Sequence, residues 1–155
     1  AEVVDPAMAA IAPLQQEWAR IKYQIADKDA QLDASHKLEG QAASVSATYP
    51  SRAEAKIWEA IILSTDAGIV KGISALGKVK KAKELLETSI KLDPKALDGS
   101  AYTSLGSLYY QVPGWPVAFG DNEEAEKYLK QALQMNQLTF QSYLSPCRSS
   151  QNKNQ

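Results

Sequence analysis

A chain of 155 residues, 45% of them hydrophobic, has room for one domain with a sizeable core. Its 17 Lys and Arg offset 18 Asp and Glu, so composition forces no basic face suited to nucleic acid. One cysteine, Cys147, excludes an internal disulfide and a CxxC motif, and no apolar run reaches the roughly 18 residues that a membrane span needs.

The chain opens Ala1-Glu2-Val3-Val4-Asp5 without Met, as a product trimmed of a signal peptide would. Residues 1–12 are mostly small and apolar. Asp5-Pro6 is a cap signal, but Pro13 reads better as the first position of a helix, where its missing N–H costs nothing. From there Leu14, Trp18, Ile21 and Ile25 recur at three- and four-residue steps, one apolar stripe. Asp27-Lys28-Asp29 is a polar turn and a cap for a second helix. That helix carries Leu38, Ala42 and Val45 but also Gly40, and Tyr49-Pro50 ends it, because the residue before proline avoids the helical region.

Ser51, with Glu54 three residues on, has the pattern of a capping box for a third helix. Ile57, Trp58, Ile61, Ile62 and Thr65 form its apolar face. Gly68, Gly72 and Ser74 mark a loop or a loosened last turn, and a fourth helix is expected from about Leu76 to Leu92, stopped by Asp93-Pro94. Lys78, Lys80, Lys81 and Lys83 crowd its first half, the unfavourable end of the helix dipole. They read either as a solvated face or as a docking patch for an acidic partner. A fifth helix spans about Ala101 to Gln111. The segment Val112-Pro113-Gly114-Trp115-Pro116-Val117-Ala118-Phe119-Gly120 follows, and Asp121 with Glu124 has the capping-box pattern for a sixth helix ending near Met135.

The second helices superpose. Leu38, Ala42, Val45 and Pro50 match Ala82, Leu86, Ser89 and Pro94, and these match Ala125, Leu129, Ala132 and Gln137, at steps of 44 and 43 residues. The first helices align as Trp18, Ile21, Ile25; Trp58, Ile61, Thr65; and Tyr102, Leu105, Tyr109. In the last hairpin Tyr102, Leu105, Gly106 and Tyr109 face Ala125, Leu129 and Ala132, and small Gly106 and Ala125 allow close approach. This large–small–large alternation resembles tetratricopeptide (TPR) hairpins, though each unit is longer than the roughly 34-residue TPR. The expected fold is all-α: three antiparallel helical hairpins stacked as a short TPR-like right-handed solenoid. The hairpins would cover about 13–48, 51–93 and 100–136, followed by an irregular tail over 137–155.

A narrower resemblance rests on Glu17-Trp18-Ala19, Tyr49-Pro50, the stretch Ala53 to Ser64, and Leu105 through Asp121 with its Tyr109-Tyr110-Gln111-Val112-Pro113-Gly114-Trp115-Pro116 core. It is similar to small TPR-like proteins exported to the periplasm of Gram-negative bacteria, and more distantly to the TPR component associated with TRAP-type transporters. The resemblance implies fold and export rather than a particular activity. After Asn136 the family pattern would continue with proline and another helical pair, whereas this chain turns to Ser, Gln and Asn. The end of the third hairpin is therefore expected to leave apolar surface around Tyr128, Leu129 and Leu133 and to favour a homo-oligomer.

No catalytic constellation, cofactor motif or metal-ligand spacing stands out, and the only histidine, His36, reads as a surface residue. The aromatic loop with Trp115 and Phe119 is either a plug folded between its own helices or a rigid lip beside a groove. By register with Trp58 and Tyr102, the groove-facing residues are Lys56, Glu59, Leu63, Ser100, Thr103, Ser107, Tyr110 and Gln111, with Tyr110 foremost. The expected function is a non-enzymatic scaffold without cofactor that binds a protein or an extended peptide. The alternative is a small-molecule-binding or TRAP-type transport accessory protein.

Overall fold

The computed structural model describes residues 5–70, 72–112 and 119–135. Six α-helices run through them: α1 (Pro6–Gln24), α2 (Lys28–Thr48), α3 (Ala53–Val70), α4 (Ile73–Leu92), α5 (Ser100–Gln111) and α6 (residues 122–135). They form three consecutive hairpins of an all-α helical-repeat fold. The third helix sits at the centre, packing most extensively on α4, then on α2, and also touching α1 and α5.

Helix α1 starts at Pro6, not at Pro13. The Asp5 side chain accepts from the backbone N–H groups of Ala7 and Met8, a complete N-cap that starts the helix two turns early. Pro13 is carried inside the helix on an exposed position. The same Asp5 carboxylate takes a two-point contact from Arg52, 47 residues on, at 2.7 Å from each guanidinium nitrogen. The hydrogen bond to Arg52 holds Asp5 below the usual carboxylate range. One side chain thus caps α1 and ties it to the start of the second hairpin.

The capping box expected at Ser51 is replaced by a different device. The α3 helix begins at Ala53, Ser51 lies in the preceding turn, and Glu54 accepts from Arg52 Nε at 3.1 Å. Half of the second expected box is present: Asp121 Oδ1 accepts from the N–H of Glu123 and Glu124. The Asp121 N–H, however, donates to Tyr109 O at 3.0 Å, which pins the end of the long loop to α5. The fourth helix starts at Ile73, one turn earlier than the lysine-rich stretch suggested, directly after Gly72 at φ +89°.

The repeat register is visible in burial. Leu38, Ala42, Ala82, Leu86, Ser89, Ala125 and Ala132 are all buried at matched positions of α2, α4 and α6. The main cluster joins Ala53, Ile57, Ala60 and Leu63 of α3 to Ala82 and Leu86 of α4 and to Ala101, Leu105 and Leu108 of α5. A smaller one joins Leu14 and Ile21 to Leu38, Ala42 and Ile62. Tyr128 of α6 stacks on Tyr109 at 5.6 Å and lies 6.2 Å from Tyr102, which closes the last hairpin.

Gly106 sets how closely α5 and α6 approach. A Cβ there would stand 2.6 Å from Leu129 Cγ and 3.1 Å from the Ala125 carbonyl oxygen. Gly106→Ala is therefore expected to destabilise by about 1–3 kcal/mol through overpacking, despite the better helix propensity of Ala. Ala82→Leu, at a fully buried matched position of α4, should cost a similar amount. Urea-denaturation midpoints read both effects, and unchanged midpoints in both variants would contradict this packing.

Candidate functional site

The first helices of the hairpins line a groove. Trp18 and Lys22 of α1, Ile61, Ser64, Thr65 and Gly68 of α3, and Thr103, Ser104, Ser107, Leu108 and Gln111 of α5 surround a cavity of about 420 Å³. Ser64, Gly68, Leu108 and Gln111 are shared with an adjoining cavity of about 540 Å³. Its remaining walls are Ala67, Ala75, Leu76, Val79 and Val112, with Gly72 and Ile73 at the α3–α4 turn. Ile73 is 88% exposed, an aliphatic side chain standing in solvent beside an aliphatic hollow. One part of the groove is thus rich in hydroxyls and the other is greasy.

The hydroxyls differ in what they are free to do. Thr65 Oγ1 accepts from Trp18 Nε1 at 2.8 Å and donates to the Ile61 carbonyl. It fixes Trp18 against the groove, and Trp18 meets Trp58 edge-on at 5.6 Å. Ser64 donates to the Ala60 carbonyl. The hydroxyls of Thr103, Ser104 and Ser107 on α5 carry no such back-bond among the described residues. Lys22 lies over the rings of Trp18 and Tyr23, 4.8 and 5.6 Å from their centroids.

Of the groove residues expected from sequence, Thr103, Ser107 and Gln111 lie in this groove. Tyr110 is exposed but lines a separate hollow with α6, on another face of α5. Leu63 is 1% exposed and packs in the main core, so its side chain does not face an open groove. Glu59 is also buried, on the α4 side, with Lys81 Nζ 3.8 Å away. Lys56 is half-buried on α3, and Ser100 opens α5. The stripe on α3 that does face the groove, Ile61, Ser64, Thr65 and Gly68, is two residues out of step with Lys56, Glu59 and Leu63. At 3.6 residues per turn that is roughly half a turn of the helix. The signal that would have found it is the run of small polar residues Ser64-Thr65 at the spacing of Gly68.

Trp115 lies outside the described residues. At the far end of that loop, Phe119 is half-buried, meets Tyr109 edge-on at 5.3 Å and has Lys83 Nζ 4.9 Å from its ring. It is folded back onto the hairpin. The lysine row is not a uniform solvated face either. Lys78 is engaged in the interior, Lys81 lies near Glu59, and Lys83 lies over two aromatic rings.

Sequence reading missed a second polar site. His36 and Glu39 of α2 converge with Asp66 of α3, their ligand atoms within 4.8 Å of one another. Asp66 has no exposed side-chain surface, His36 Nδ1 stands 3.0 Å from its carboxylate, and Lys78 Nζ reaches Asp66 Oδ2 at 2.5 Å and Glu39 Oε2 at 2.8 Å. Imidazole and two carboxylates are donor types that hold divalent metals. Here the Lys78 ammonium pairs with both carboxylates, so the group is a polar clasp between α2, α3 and α4. Burial raises the Glu39 carboxyl, and its contact with Asp66 adds to the rise. Burial acts the same way on Asp66, but hydrogen bonds to Glu39 and Lys78 outweigh it and leave Asp66 below its ordinary value.

A tetratricopeptide-repeat family model matches residues 74–96 and 117–137. Those stretches cover α4 from its second residue and all of α6, the second helices of two successive hairpins, and begin 43 residues apart, the step that separates Leu86 from Leu129. No curated protein matches the chain. The protein is TPR-like in sequence and in fold, and no described helix is long and apolar enough to cross a membrane.

Lys78→Met removes the cation between two apposed carboxylates, and at neutral pH it should destabilise by about 2–4 kcal/mol, since Lys78 is itself partly exposed. The sign with pH follows from the shifts. Glu39 takes up its proton above the ordinary 4.5, while Asp66 holds its charge to below 3.8. As pH falls, Glu39 is the first of the two carboxylates to take up a proton, which relieves the repulsion, so the deficit of the variant should shrink near pH 4.5 relative to pH 7. Denaturation of both proteins at the two pH values checks this, and an equal or larger deficit at the lower pH would refute the arrangement.

Proposed function

We propose that this protein is a non-enzymatic binding scaffold that receives an extended segment of a partner protein along the groove formed by α1, α3 and α5. The observation that carries the reading is the chemistry of that groove. An extended peptide presents an N–H and a C=O at every residue, and hydroxyls can answer either. Thr103, Ser104 and Ser107 offer three hydroxyls that no helix carbonyl occupies, beside the Gln111 amide. The adjoining aliphatic hollow takes one large apolar side chain as an anchor, the usual division between backbone contacts for affinity and a pocket for specificity. Helical repeats present concave surfaces of this kind to their partners. We place this activity in the periplasm, on the strength of the resemblance carried by Leu105 to Asp121.

One observation favours a second reading. The aliphatic hollow, at about 540 Å³, falls within the size range of small-molecule sites. A small apolar or amphipathic solute there would fit a transport-accessory role. The two readings differ in which residues matter, since a small molecule in the hollow does not extend along α5 to Thr103.

Selection of binders from a displayed random-peptide library on the whole chain supplies a probe. Against such a peptide, Thr103→Ala and Ser107→Ala should each cost about 1 kcal/mol of affinity with little change in melting temperature, since both side chains are surface hydroxyls. Tyr110→Ala should leave affinity unchanged. Calorimetric titration measures all three. If Tyr110 proves decisive and the two hydroxyls do not, the partner lies on the other face of α5 and the groove assignment fails.

A further inference from the structure

In the first two hairpins, a matched position on the second helix is covered by the first helix of the next hairpin. Ala42 is buried in one cluster with Ile62 of α3, and Leu86, fully buried, lies in one cluster with Ala101 and Leu105 of α5. Leu129 occupies the same place on α6, at the steps of 44 and 43 residues noted above. It is 41% exposed, and Leu133, one turn on, is 58% exposed. Together with Tyr110, itself 70% exposed, they line a hollow of about 480 Å³ rimmed by Asn122, Glu126 and Lys130. This is the seat that a further helix occupies on each preceding hairpin.

We propose that a second copy of this chain covers that seat, in a two-fold dimer joined through the α5–α6 end faces. The distribution of charge selects this occupant. Glu126 and Lys130 lie one turn apart on α6 and pair at 2.8 Å, both largely in solvent. A two-fold axis perpendicular to α6, crossing it beside Tyr128 and Leu129, runs the two α6 helices antiparallel and sets Glu126 of one copy opposite Lys130 of the other. An apolar centre with one charge of each sign on its rim is complementary to itself, as an isologous interface requires. The peptide groove opens on a different face of α5, through Thr103, Ser107 and Gln111, so the dimer leaves it free. Two such grooves on one particle bind a partner with two segments far more tightly than one groove can.

Sedimentation equilibrium of the full chain from micromolar to near-millimolar concentration tests the proposal. A monomer–dimer equilibrium is expected. Leu133→Glu, at an exposed position, should raise the dimer dissociation constant at least about ten-fold, with helicity by circular dichroism and melting of the monomer preserved. Glu126→Lys and Lys130→Glu should each weaken the dimer, and the double reversal should restore it, because each copy then again offers both signs. A strict monomer at every concentration overturns the proposal. If removal of residues 136–155 then turns that monomer into a dimer, the occupant is the chain's own end. A dimer insensitive to Leu133→Glu and to both charge reversals also overturns it, since its interface lies elsewhere.

Discussion

The structure depends on covering α3 on almost every side. Its sequence, Ala53 to Val70, is apolar around most of its circumference, and nine of its eighteen residues are buried. A helix of that kind is stable only when its neighbours remove it from water. Helices α2 and α4 take two flanks, and α1 and α5 close against it at the ends of the stack. The Arg52–Asp5 contact and the Trp18–Thr65 hydrogen bond join elements 47 residues apart in sequence to the same helix and its entry turn. The partly open stripe of Ile61, Ser64, Thr65 and Gly68 becomes the floor of the groove.

The clasp at Asp66 follows from the same burial. A carboxylate on a helix buried this completely needs a counter-charge from whatever packs beside it. Lys78, from the lysine-rich start of α4, supplies it, and His36 and Glu39 complete the ring from α2. A row of lysines at the unfavourable end of a helix dipole thereby has a use within the fold. Lys78 neutralises the interior, Lys81 lies by the buried Glu59, and Lys83 covers Phe119 and Tyr109. A packing of these helices that left Asp66 without a counter-charge would be costly.

The faces of α5 meet different surroundings. One face, Leu105 and Gly106, is core and close contact with α6. A second, Thr103, Ser107 and Gln111, looks into the groove beside α1 and α3. A third, at Tyr110, belongs to the end of the stack with Leu129 and Leu133. A twelve-residue helix can present three different surroundings at once because each face takes a different set of positions at 3.6 residues per turn.

The amino-acid sequence by itself determined the helical hairpins and their order. Period-3.6 spacing, prolines at Pro50 and Pro94, the Asp121 cap and the 44- and 43-residue steps are local or internally repeated signals, and helices answer to local signals. It also disclosed Thr103, Ser107 and Gln111, because α5 has one clear apolar face and the remainder follows by rotation. Only the tertiary structure decided which side of α3 is the groove, since polar residues such as Glu59 and Asp66 are buried in it and Leu63 packs inward, against the apolar face that its spacing suggests. It alone decided that His36, Glu39, Asp66 and Lys78 meet, because that requires the packing of three helices and no sequence spacing encodes it. The early start at Pro6 likewise waited on the fold, where Asp5 is held in capping position by an arginine from the next hairpin. Local chemistry chose the elements, and the shared burial of neighbours chose which of their faces remained free.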